Sequence, residues 1–244
     1  MYKNRAKIDK DFADKLDRIH KIIDIQHQIL NDFSMILAIG PIFGIDIGSA
    51  STITFSASTK NLIAFISTLE LLRSGLHGPG RVLLRQAFEA LLMAKFCSVS
   101  QDSKIYELWL EGKIIRFAKD VIHRIAVPDN TSLNNFWFHL CRYSHATTYS
   151  QQASLDSGDE DERRGVELTL VFLDMLLECN YHLINIHFVT PSMKWHLAYI
   201  DESSEVKLRG LKLNQKNLLK DNRNLMTKES RKVVNSYKRA WQLN

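Results

Sequence analysis

Glycine and proline are scarce, ten and four among 244 residues, about half their usual joint share. Both break helices and build hairpin turns, so their scarcity speaks against an all-β sandwich and a glycine-rich cofactor fold and favours long helices. Cysteine is limited to Cys97, Cys141 and Cys179. Their wide spacing, with no CxxC pair, suggests neither a disulfide framework nor a zinc finger, and they read as buried thiols. No P-loop, dinucleotide fingerprint, HExxH or GxSxG occurs, which disfavours nucleotide hydrolysis, redox work, zinc proteolysis and serine hydrolysis. An apolar run of about 18 residues is also missing. The first twenty residues carry charges throughout, unlike a signal peptide. The expectation is a soluble cytoplasmic protein without membrane partners or cofactors.

Apolar residues make up 45% of the chain and charged residues 24%, an ordinary globular balance. The net charge of +5 is unevenly spread. Residues 206–244 hold eleven Lys or Arg against Asp221 and Glu229, a local +9, which leaves 1–205 at −4. Two parts are therefore expected: a helical bundle over 1–205 and a basic amphipathic C-terminal helix over 206–244. Clustered cations suit a polyanion, with Lys228, Arg231 and Lys232 as the nucleic-acid-binding candidates, but they equally suit a solvated helix face.

Apolar spacings of three, four and seven from Ile8 to Leu37 predict one long helix ending at Gly40-Pro41. The segment 44–58, rich in Ser, Thr and β-branched residues, fits a loop, a short extended piece or a reluctant first helical turn. A second helix follows from Leu62 to Leu76. GLHGPG turns into an antiparallel third, from about Arg81 to Val99. A fourth runs from Ser103 to Ile125, weakened at Gly112, and a fifth carries Leu133, Phe136, Leu140 and Tyr143. The acidic stretch 151–162 reads as a surface loop, with a sixth helix from about Glu162 to His187. The fold class is all-α, a bundle of about six or seven helices.

The third helix is apolar on nearly every side, so its charges need an explanation. Arg81, Arg85 and Glu89 are spaced by four and form one stripe, either an internal ion-pair network or the wall of a cleft. On the fifth helix, Arg142 and His145 share a face, with His139 a turn upstream. Imidazole can move a proton near neutral pH and guanidinium can hold a phosphate, a combination suited to metal-free RNA cleavage by a 2′-hydroxyl. The pair fits equally a helix-end histidine beside a surface arginine. His20, Asp24, His27 and Asn31 line one stripe of the first helix, but two turns of separation prevent both histidines and the acid from holding one metal ion unaided, so a solvated or dimer-facing surface is expected and no metal site. His182 and His187 read as packing residues. Phe136, Trp137 and Phe138 are consecutive and point different ways, which reads as core contact, not a base-stacking platform.

The segments GPGRVLLRQAFEALLMAKFC and FWFHLCRYSHATT resemble the HEPN-like helical families (higher eukaryotes and prokaryotes nucleotide-binding) of bacterial defence and toxin proteins, over roughly residues 57–190. The resemblance implies a helical, homodimeric, metal-independent endoribonuclease or toxin-like effector acting on RNA, with a protein partner from the same defence locus. It makes His145 the general base or acid, Arg142 the phosphate binder, Ser144 the polar neighbour, and Arg85 with Glu89 the pair that orients them. Two residues separate Arg142 from His145 where the family has four to six. Arg116 and His123, with six between them, fit that spacing literally and rank second. The alternative implied is a non-catalytic HEPN-like module that binds nucleic acid or a partner protein through the basic C-terminal helix.

Overall fold

The computed structural model describes residues 2–39, 48–100, 103–113, 115–125, 131–144, 159–189 and 202–239. Among them there is no strand, and the chain is an all-α bundle. The ten helices are α1 (Tyr2–Asp11), α2 (Ala13–Ile39), α3 (Gly48–Arg73), α4 (His77–Ser100), α5 (Ser103–Leu110), α6 (His123–Ile125), α7 (Thr131–Ser144), α8 (Asp159–Ile184), α9 (Glu202–Leu225) and α10 (Lys228–Arg239). π-helical turns at Ala118–Ile122 and Asn185–Val189 precede α6 and follow α8. None of the described helices is long and apolar enough to cross a membrane.

The count exceeds six or seven for local reasons. The first expected helix starts earlier, at Tyr2, and is interrupted only at Phe12, whose amide still reaches the Ile8 carbonyl at 3.0 Å. Residues 48–58 of the undecided segment are the opening turns of α3. The turn after α3 comes at Ser74–Leu76, one step ahead of GLHGPG. Gly75 adopts φ 77°, and the amides of Gly75 and Leu76 close on the carbonyls of Leu72 (2.9 Å) and Leu71 (2.8 Å), a left-handed helix cap that only glycine enters cheaply. Pro79 then falls in the first turn of α4, where a missing amide proton costs no bond. The helix expected from Ser103 to Ile125 is broken at Gly112, φ 68°. The same capping pair forms there, Gly112 to Trp109 (3.1 Å) and Lys113 to Leu108 (2.9 Å). The acidic stretch is not loop throughout, because α8 begins at Asp159. The basic C-terminal stretch is two helices, and the Thr227 side chain accepts the Ser230 amide at 3.1 Å to start the second.

α3 and α4 pack antiparallel, Thr68 beside Gly80 at one end and Ala57 beside Ala90 and Ala94 at the other. α4 is the enclosed central helix its apolarity predicted: Leu84, Phe88, Leu91, Leu92 and Phe96 are fully buried. α8 lies against it with Leu170, Leu173, Leu176 and Leu177. At Gly165 the two helices fit closely, since an added Cβ would stand 2.7 Å from the His77 ring. A chain of buried amides links three helices: Gln26 donates to the Leu177 carbonyl (3.1 Å), Asn180 to Gln26 (2.7 Å) and Asn61 to Asn180 (3.3 Å). α10 belongs to this same core through Val233, Val234 and the fully buried Tyr237. Buried Glu178 of α8 holds Arg223 of α9 and Lys238 of α10.

Candidate functional site

The stripe expected on α4 divides. Arg81 turns inward, 4% exposed. Its Nε donates to Thr169 Oγ1 and its Nη2 to the Gly165 carbonyl, both at 2.9 Å, and the guanidinium lies 4.3 Å from the Tyr143 ring centroid. Burial pushes its pKa down, and Tyr143 opposes that shift. This is a satisfied structural cation joining α4, α7 and α8.

Arg85 and Glu89 pair across a turn, Nε to Oε1 at 3.0 Å, both partly exposed. The same carboxylate oxygen accepts the Trp137 indole N–H from α7 at 2.9 Å. The pair also stands beside Cys141. Burial raises that thiol's pKa, Arg85 lowers it and Glu89 raises it. The orienting pair therefore meets α7 along its C-terminal half, one residue short of Arg142.

A pocket of about 540 Å³ opens at this junction. Four cations line it, Arg85, Lys113, Arg116 and Lys119, against one carboxylate, Glu89. Trp109, Phe117, Trp137 and Phe138 supply aromatic surface. Phe117 and Trp137 stack, centroids 5.9 Å apart at 19°, and Phe138 leans edge-on to Trp137 at 5.0 Å. Phe138 is 51% exposed. The three consecutive aromatics divide their work: Phe136 is buried in the core, Trp137 packs against the core and also lines the pocket, and Phe138 is exposed at the pocket, so the reading as core contacts is corrected for Phe138. Beyond the break at Gly112, Lys113 and Arg116 line this pocket together with side chains of α4 and α7. Carboxylates outside the pocket hold two of the cations, Lys113 to Glu111 at 2.6 Å and Arg116 to Asp120 at 3.4 Å.

Arg142 is exposed on α7, on the same face as exposed Asn135 and Phe138. With Arg81 it adds to burial in holding the His139 pKa below its ordinary value. Ser144 is the last residue of α7. His145 lies outside the described residues. Arg116 and His123 are both exposed, and in place of one continuous helix a π-helical turn, Ala118–Ile122, lies between them, with Arg116 before it and His123 opening α6. Of the basic candidates, Lys228 and Lys232 lie on the surface of α10. Arg231 donates from Nε (3.2 Å) and Nη2 (3.1 Å) to the Met226 carbonyl, tying down the turn between α9 and α10.

On α2, the ring Nδ1 of His20 bonds the Leu16 carbonyl at 2.8 Å, and Asp24, His27 and Asn31 are exposed. Among the described residues no three His, Cys, Asp or Glu side chains gather as a metal site. His182 and His187 are half-buried, and burial is the first cause holding both pKa values down to about 4. His187 Nε2 lies 3.2 Å from the Ser98 hydroxyl. None of the three cysteines is in a disulfide, and Cys97 is only half-buried.

Lys113, Lys119, Trp109 and Trp137 had not been singled out as site residues. The one sequence signal for Lys113, Lys119 and Trp109 is cations and aromatics interleaved either side of Gly112, and Trp137 on α7 has none. Comparison with protein-family models, curated proteins and solved structures found no match.

Proposed function

We propose that this chain is a HEPN-like endoribonuclease of a bacterial defence system that seats an RNA phosphodiester at the junction of α4 and α7. The observation that carries this reading is the Arg85–Glu89 pair. It is not sealed in the core but opens with three further cations and four aromatic rings onto one pocket. Cations interleaved with aromatics suit a single strand, whose phosphates and exposed bases are held together.

In the proposed chemistry the 2′-oxygen bonds to phosphorus and the bond to the 5′-oxygen breaks. The proton leaving the 2′-hydroxyl passes to His145 and a proton returns to the 5′-oxygen, giving 2′,3′-cyclic phosphate and 5′-hydroxyl ends. Arg142 steadies the charge growing on the phosphoryl oxygens, and the Arg85–Glu89 pair braces α7 through Trp137. No step calls for a metal. In a homodimer two copies of the motif supply the base and the acid.

The test is incubation of single-stranded RNA with the protein in excess chelator. His145→Ala is expected to abolish cleavage while leaving binding intact, and Arg116→Ala with Lys119→Ala to weaken binding about tenfold. Cleavage that persists in His145→Ala removes that residue from the mechanism. The short spacing of Arg142 and His145 favours a second reading, a module that binds RNA without cutting it. RNA bound but left whole by the unmodified protein is the result that selects it.

A further inference from the structure

A larger hollow, about 960 Å³, lies on the other flank of α7, between α7, α8 and α10. No function has so far been attached to it. Its floor is apolar and partly aromatic, with Phe136 from α7, Phe172 and Met175 from α8 and Val233 from α10. Its walls carry hydrogen-bonding groups, Asn135 and His139 on one side and Asn235 and Ser236 on the other. Two cations of α10, Lys232 and Arg239, stand over it, and Glu229 is the one carboxylate in its lining.

We propose that this trench is a second subsite on the same RNA path, taking one single-stranded nucleotide with its base on the floor, its base edge at Asn135 and His139, and its phosphate at Lys232 and Arg239. The proposal rests on the RNA reading above and deepens it. Three features select a nucleotide over a purely apolar guest. The floor includes two phenyl side chains, Phe136 and Phe172, each 6% exposed, against which a base can rest. His139 is edge-packed at 5.4 Å from Phe172 and 5.5 Å from Tyr143. Burial, with Arg81 and Arg142 nearby, pushes its pKa down, which favours the neutral ring with one donor and one acceptor nitrogen to set against a base edge. The amides of Asn135 and Asn235 add the same paired chemistry from both walls. Finally, the cations lie on the rim, where a backbone phosphate stays wet.

The two hollows share α7 as their common wall. Trp137 and Phe138 face the first and Phe136 and His139 the second. A helix is about 10–12 Å across, so a strand leaving the cationic pocket passes over the exposed crest of Phe138 and Arg142 before it descends into the trench. The trench thereby assigns Lys232 a location on the RNA path that the charge of the C-terminal stretch alone did not give it.

The experiment uses the full chain and two probes, a 12-nucleotide single-stranded RNA followed by fluorescence anisotropy, and 5′-AMP followed by the His139 ring resonances. Lys232→Ala with Arg239→Ala is expected to weaken RNA binding about tenfold and to flatten the plot of log K against log salt by about 0.7, the loss of one phosphate contact on a single strand. AMP is expected to shift the His139 signals in the parent protein and to do so far less in Asn135→Ala. RNA binding that is unchanged in the double variant, with His139 unmoved by AMP, overturns the trench and leaves the RNA reading standing. No RNA binding by the parent, with His139 still shifted by AMP, keeps the trench as a nucleotide site and overturns the RNA reading. Displacement of the His139 signals by an acidic amphipathic peptide but not by AMP overturns the proposal in favour of a protein partner.

Discussion

Lys95 is fully enclosed toward the C-terminal end of α4, its ammonium donating to the Tyr237 backbone carbonyl and lying 4.3 Å from that ring's centroid. Burial pulls its pKa from 10.5 down to about 7, against a smaller opposing effect from Cys179. Between those two values the unfolded chain binds a proton that the folded chain has released, so stability rises with pH across that window. Lys95→Met removes the titration. Urea unfolding at pH 7.5, 8.5 and 9.5 is expected to show the parent gaining on that variant by about 1.4 kcal/mol per pH unit. A difference that stays flat would mean that the amine is hydrated. The same logic makes His182 and His187, both held down to about 4, sources of stability that is lost as pH falls from 6.5 towards 4. Asp174 works the other way. Burial, opposed by Lys15 at 3.0 Å, lifts it to about 6, so its contribution falls as pH rises from about 4 to 6.

At the scale of elements, Gly112 decides whether α5 continues. Its positive φ lets two amides capture carbonyls of the last turn, and Lys113 and Arg116, just beyond it, line the pocket. An added Cβ meets nothing within 4 Å there, so Gly112→Ala isolates the backbone effect. A cost of about 1–2 kcal/mol and weaker RNA binding are expected. Gly210, inside α9 with equally open space around it, is the control: Gly210→Ala is expected to stabilise by about 0.5–1 kcal/mol and to leave RNA affinity alone. Thermal unfolding and anisotropy titration of the two variants separate the cases. Most helices were legible because their apolar residues recur every three or four positions, as along Leu16, Ile19, Ile23, Leu30 and Phe33. The break at Gly112 was not, since glycine inside an apolar pattern looks the same whether it merely weakens a helix or takes the left-handed conformation that ends it. The π-helical turns at Ala118–Ile122 and Asn185–Val189 have no periodic mark in so short a stretch.

For the molecule as a whole, the basic stretch 206–244 is expected as an amphipathic helix that either packs back or reaches a partner, and Tyr237 of α10 is among the largest fully buried side chains in the protein. Tyr237→Ala is expected to cost about 3–5 kcal/mol, the usual price of emptying a core aromatic site. The midpoint of denaturant unfolding checks this, and a loss under 1 kcal/mol would mean that α10 contributes little to the core. Part of the candidate site was readable in advance: Arg85 and Glu89 are one turn apart, so their pairing is a local matter. Trp137 on Glu89 joins positions 48 residues apart, and the trench gathers side chains from three helices. Such juxtapositions come from packing, which no short stretch of chain encodes. Arg81 shows the converse, because equal spacing placed it with Arg85 while the packing of α8 drew it inward.

The buried amides of Gln26, Asn180 and Asn61 carry one more consequence. Leucines in a helical bundle tolerate slippage, because one aliphatic contact can replace another a turn away. Amides do not. If α2 slid about 5.4 Å along α8, Gln26 would lose both the Leu177 carbonyl and Asn180, and each stranded polar group would cost about 1–3 kcal/mol. These three side chains therefore act as a detent that admits a single axial alignment of α2, α3 and α8, and they do so from deep inside, where solvent cannot offer a substitute.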